Sequence, residues 1–166
     1  MHTDTPEAHE TSRRGFFKSS IAELRYNAEN SMPWLAFDAG MLIACAALFF
    51  ANSNVLIELA NEYAPGSPVA YVATCHLNDL FGGLAFMCYT NLLIDLVKPE
   101  VRFKRLSSIL VFILLCGLFW EFVAPAFVED SVSDPLDIAA YALGGFLYWL
   151  FTKACQHSAM VNERAR

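Results

Sequence analysis

The 166-residue chain is 56% hydrophobic and only 17% charged, with a mean hydropathy of +0.39, which excludes an ordinary soluble globular domain. Its net charge of −6 excludes the broad basic face that nucleic-acid binding requires. At 18.5 kDa it has room for one bundle of four or five spanning helices and for no second domain.

In chain order, residues 1–33 are polar and lack the apolar core of a cleavable signal peptide, so they are expected to form a cytoplasmic tail. Within that tail Phe17, Ile21, Leu24 and Ala28 recur at helical spacing beside Arg13, Arg14, Lys18 and Arg25. This is the pattern of an amphipathic helix lying on the inner membrane surface; a tail without fixed structure is the alternative. Residues 34–155 form the predicted transmembrane domain, with spans at 34–55, 72–97, 107–128 and 137–154, and residues 156–166 form a second tail.

The first span, Trp34 to Val55, covers about 33 Å at 1.5 Å per residue, enough for a hydrocarbon core of about 30 Å. Ala36, Gly40 and Ala44 make a small-residue ridge on it, suited to close helix packing within one chain or in a homo-oligomer. The connector IELANEYAPGSP reads as a loop, and the second span begins with His76, Asn78 and Asp79 before turning strongly apolar. KPEVRFKR leads to the third span, which carries Glu121. VEDSVSDPLD leads to the fourth, which opens at Asp137.

Orientation follows from the basic residues. Lys and Arg cluster in the N-terminal tail, in the 98–105 loop and after Lys153, whereas the other two loops hold only acids. The expected fold is therefore all-α, four transmembrane helices with both termini cytoplasmic in the inner membrane. Cys45, Cys75, Cys88, Cys116 and Cys155 lie singly, with no CxxC pair, and read as small apolar packing residues.

Ionisable side chains inside a span cost roughly 2.5 to 3.5 kcal/mol on insertion scales, so each needs a reason. Asp79 lies about 24 Å above Asp95 and Glu121 about 21 Å above Ser107 at helical rise, while Asp134 and Asp137 start the last span at that same outer level. The candidate pocket is His76, Asn78, Asp79, Glu121, Asp134, Asp137 and Tyr141. Of these, Asp79, Glu121, Asp137 and His76 could ligate a divalent metal.

Each has a structural reading beside the functional one. Asp134, Pro135 and Asp137 fit N-cap, N1 and N3 of a helix. Glu121 could serve the backbone group that Pro125 leaves unpaired, and His76 could pair with Asp79. Asp38 and Asp95 lie near the inner boundary, where a base such as Lys98 could neutralise them. Trp34, Trp120, Tyr148 and Trp149 read as interface anchors or packing. One histidine in the spanning region leaves haem without a pair of ligands, and no nucleotide is expected.

The stretch WEFVAPAFVEDSVSDPLDIAAYALGGFLYW resembles the closing motif of VanZ-like membrane proteins, in which a Glu in one helix precedes a short loop and a spanning helix that opens with Asp. The matching positions are Glu121, Asp134 and Asp137, then Tyr141 and Gly144, with a looser likeness over His76 to Gly83. The sequence departs from that pattern in having no Gln soon after the Glu, no Arg in the loop, and Tyr141 where Asn is frequent. The resemblance implies a small bacterial multi-helix membrane protein from a family associated with glycopeptide resistance, and it implies no defined reaction.

The leading expectation is a pocket for an envelope component or lipid headgroup. A metal-dependent membrane hydrolase is the alternative. A small ion-coupled transporter ranks last, because no acid lies between Asp79 and Asp95.

Overall fold

The computed structural model describes the backbone of residues 6–127 and 134–164, with side chains over 18–123, 125–127 and 134–158. The side chains of Arg13, Arg14, Phe17, Glu129, Asp130, Arg164 and Arg166 lie outside these. The described residues are all-helical: α1 (Pro6–Ala51), α2 (Ile57–Tyr63), α3 (Pro68–Cys75), α4 (Leu77–Val97), α5 (Leu106–Leu118) and α6 (Pro135–Arg164). Four helical stretches are long and apolar enough to cross a membrane: Lys18–Tyr63, Leu77–Val97, Leu106–Val123 and Pro135–Ser158. Large apolar side chains stand exposed on them, Ile43, Phe50, Val111 and Leu115 among others, a surface suited to lipid.

The polar stretch expected as a separate tail is continuous with the first span, since α1 runs 46 residues with Pro33 inside it. At 1.5 Å per residue that is about 69 Å, more than twice a hydrocarbon core of about 30 Å. Its level against the bundle is set by Asn27, whose amide donates to the carbonyls of Leu96 and Val97, both at 3.1 Å, at the C-terminus of α4. These carbonyls have no partner within their own helix, so the side chain supplies one. Ile21 and Leu24 of the expected amphipathic stripe are exposed.

The connector after the first span is also shorter than its composition suggests. Helix continues to Tyr63, and the turn is confined to residues 64–67. Gly66 takes the left-handed conformation (φ +70°), and Ser67 caps α3 through a 3.2 Å bond from the Ala70 amide, with Pro68 at the first helical position.

The bundle is a row, α1 against α4, α4 against α6 and α6 against α5, so α4 and α5 scarcely touch. Its apolar core is Cys45, Leu84, Met87, Cys88, Ile109, Ile113 and Tyr148. The α4–α6 crossing is close because both helices present glycine. A Cβ at Gly83 would fall 2.7 Å from the Tyr141 carbonyl oxygen, and one at Gly144 would fall 2.4 Å from that of Leu80. Gly145 faces Ile113 and Ile109 of α5. These glycines therefore serve packing within the chain, while Ala36, Gly40 and Ala44 face outward.

Two π-helical turns interrupt the regular helices, at Asn52–Leu56 and at Phe119–Val123. Each inserts an extra residue per turn and re-aims the side chains that follow. Each also buries one polar residue, Asn52 in the first and Glu121 in the second.

Candidate functional site

The helix break at His76 separates α3 from α4 and brings the imidazole to α6 rather than to Asp79. His76 Nδ1 lies 2.8 Å from Asp137 Oδ1. Tyr71 packs edge-on against the ring at 5.1 Å, and Nε2 is buried without a partner. Asp79, in the first turn of α4, accepts from the Tyr141 hydroxyl at 3.0 Å and lies near Asp137 and Glu121.

Glu121 is buried, and its Oε2 accepts from the Asp134 amide at 2.7 Å. It thereby ties the π turn after α5 to the start of α6, in place of the expected service to the backbone around Pro125. Asp134 is the helix cap its sequence context suggests, accepting from the Leu136 amide at 2.9 Å.

Six of the seven candidate residues thus meet at one end of the bundle, drawn from α4, α6 and the turn after α5. Asn78 does not join them. It turns to the other side of α4, accepting from Asn52 at 3.0 Å and donating to Ser53 at 3.1 Å. Asn52 also donates to the Ala73 carbonyl at 2.8 Å, pinning the first π turn to α3.

Among the described residues, His76, Asp134 and Asp137 offer ligand atoms within 4.8 Å of one another. Two ligands on one ion, each about 2.0 to 2.2 Å away, can be separated by no more than about 4.4 Å, so the trio needs only a small contraction to share a cation. Asp79 and Glu121, expected among the ligands, are held by Tyr141 and by the Asp134 amide, and Asp134 completes the trio instead.

At the opposite end lies a second polar cluster, whose Arg102 and Asn91 the sequence did not single out. Arg102, 6% exposed, contacts Asp95 and lies 2.8 Å from Asp38 Oδ2. Its other terminal nitrogen donates to the Tyr148 hydroxyl at 2.8 Å, and its guanidinium sits 4.6 Å above the Trp34 ring. The Tyr148 hydroxyl donates to Asp38 at 3.0 Å and accepts from Asn91 at 2.7 Å. Asn91 in turn brackets Phe103, accepting from its amide at 2.9 Å and donating to its carbonyl at 3.2 Å.

Asp38 and Asp95 therefore use Arg102 rather than Lys98. Burial opposes the guanidinium charge, but the Asp38 contact and the charges of Asp38 and Asp95 hold its pKa above the ordinary value. Trp34 and Tyr148 belong to this network, in line with the packing role read for them. The Gly83–Gly144 contact closes the bundle between the two polar clusters.

Between α4 and α5, with α6 behind, is an apolar slot of about 190 Å³ lined by Gly82, Gly83, Phe86, Ile113, Cys116, Gly117, Trp120 and Tyr141. It exists because α4 and α5 barely meet and because three of its lining residues have no side chain. Phe86 and Phe112 stack at 5.8 Å and bridge the two helices below.

Compared with known proteins, the chain matches no family model, no curated protein and no solved structure.

Proposed function

We propose that this chain is an inner-membrane protein of VanZ-like character, with both termini cytoplasmic, whose outward-facing pocket of His76, Asp79, Glu121 and Asp137 holds an envelope component or lipid headgroup. The observation that carries this reading is the convergence of polar groups from α4, α6 and the turn after α5 on one level. Buried polar groups of that number are costly in lipid unless they are used. The likeness of Trp120 to Trp149 to the VanZ-like closing motif supports it.

The test is the set of small molecules that co-purify with the detergent-solubilised protein. A lipid or envelope fragment enriched over bulk membrane should accompany the parent and be lost from an Asp79→Asn, Asp137→Asn variant of equal abundance. An identical profile for both proteins would end the pocket reading.

Orientation has its own test in two native thiols. Cys75 and Cys155 are both exposed, the first next to His76 and the second in the C-terminal half of α6, one residue past the span expected at 137–154. A membrane-impermeant maleimide applied to intact spheroplasts should label Cys75, and should label Cys155 only after permeabilisation. The reverse pattern would invert the topology.

A second reading, a metal-dependent membrane hydrolase, is favoured by the spacing of His76, Asp134 and Asp137. These residues would hold a divalent cation, which when bound supplies Lewis-acid activation of water. Elemental analysis should then find stoichiometric metal in the parent and in Glu121→Gln, and none in His76→Ala. A parent without metal would leave the headgroup pocket alone.

A further inference from the structure

The acidic end of the bundle and the apolar slot are contiguous, and Tyr141 joins them. Its ring forms a wall of the slot, while its hydroxyl donates to Asp79 at 3.0 Å. Gly82 lines the slot one turn beyond Asp79, and Gly117 and Trp120 line it just before Glu121. Trp120, at 56% exposed, leaves the slot open at its rim. A polar site above and a greasy channel below is the shape of an amphiphile site, with a few polar groups fixing the head and apolar walls taking the tail.

Charge selects among amphiphiles. The sequence has no Lys or Arg from Tyr26 to Val97 or from Leu106 to Thr152, so the outer half of the protein has no fixed positive charge to receive an anionic head. The site itself offers instead four carboxyl groups, of Asp79, Glu121, Asp134 and Asp137, and one imidazole, of His76. Each carboxyl already has one neighbour, Tyr141, the Asp134 amide, the Leu136 amide or His76, but among the described residues none has a Lys or Arg, and an ammonium group brings three donors and the positive charge for their remaining acceptor sites.

We propose, building on the pocket reading above, that the ligand is a phospholipid with a primary-ammonium headgroup, its ammonium against Asp79 and Asp137 and one acyl chain in the slot between α4 and α5. The glycines supply the means to test the slot apart from the fold. A Cβ at Gly82 meets only the Tyr141 ring at 4.0 Å, whereas one at Gly83 or Gly144 meets backbone. Gly82→Leu therefore fills the slot while the helices keep their places, and Cys116→Phe fills it from α5.

The experiment reconstitutes the full chain in nanodiscs of phosphatidylethanolamine and phosphatidylglycerol and reads the retained lipids by native mass spectrometry, with and without chelator. The parent should retain phosphatidylethanolamine over phosphatidylglycerol by about tenfold, the size of one hydrogen bond to a charged group. Asp79→Asn should lose the headgroup preference. Gly82→Leu or Cys116→Phe, whichever keeps the parent's elution profile, should lose the bound lipid.

Equal retention of the two lipids by the parent would overturn the proposal, as would full retention in both slot-filling variants. Selection of phosphatidylglycerol that chelator abolishes would also overturn it, in favour of a metal-bridged anionic head. A water-soluble envelope fragment co-purifying with a parent that shows no lipid preference would overturn this inference and leave the pocket reading standing.

Discussion

Replacing Arg102 with methionine should destabilise the detergent-solubilised protein by about 3 to 5 kcal/mol, the usual cost of stranding a buried charge by removing its partner. The reason lies in the arithmetic of the Arg102 cluster. Asp38 and Asp95 are 0% and 1% exposed, and both contact the same guanidinium. Without it two carboxylates face each other in a low-dielectric interior, and the Tyr148 hydroxyl and Trp34 ring lose their common partner.

Arg102→Lys should recover only part of the loss. An ammonium cannot present separate nitrogens to Asp95 and Tyr148 in the fixed fork that arginine provides. The triple variant Asp38→Asn, Asp95→Asn, Arg102→Met should be more stable than Arg102→Met alone, because it removes the uncompensated charges along with their partner. Thermal denaturation followed by size-exclusion chromatography reads all three, with Lys153→Met as the exposed control. A midpoint for Arg102→Met equal to that of the control would show that the cluster does not hold the bundle.

This cluster also marks the limit of what the sequence made legible. The four spans were visible because hydropathy reports how a segment partitions into lipid, and the four apolar runs are long. Hydropathy does not report where a helix stops. The stretch before Trp34 mixes Glu, Arg, Lys, Ala and Leu, which are good helix formers, with weaker ones and has no proline between Pro6 and Pro33, so α1 continues through a boundary that composition alone would place there.

The common level of His76, Asp79, Glu121, Asp134, Asp137 and Tyr141 along the bundle was legible from helical rise, which fixes position along each axis. Which side chains would pair was not, because pairing depends on rotation about each axis. The His76 break and the Phe119–Val123 π turn both change that rotation. Arg102 stood among Lys98, Lys104 and Arg105 with nothing in the spacing to distinguish it. Its role emerges only when the turn at Pro99–Val101 carries it under α1 and α6.

Gly144→Ala should be the most damaging methyl group that can be added to the glycines of the four long apolar helices. Its Cβ would lie 2.4 Å from the Leu80 carbonyl oxygen and 2.7 Å from the Leu84 amide nitrogen. Both are backbone atoms of a helix, so no rotamer change relieves the clash, and α4 and α6 must separate. Overpacking of this kind costs about 1 to 3 kcal/mol, sometimes more, against which alanine's better helix propensity returns at most about 1 kcal/mol. Because Tyr141 lies one turn away on the same helix, the separation should also lengthen its bond to Asp79 and weaken lipid retention at the proposed pocket. Gly40→Ala, where nothing lies within 4 Å, and Gly82→Ala, which meets only a ring edge at 4.0 Å, should be neutral or slightly stabilising in the same thermal assay. If Gly144→Ala denatures at the temperature of Gly40→Ala, the two helices are not in backbone contact, and the geometry that brings Tyr141 to Asp79 has to be drawn differently.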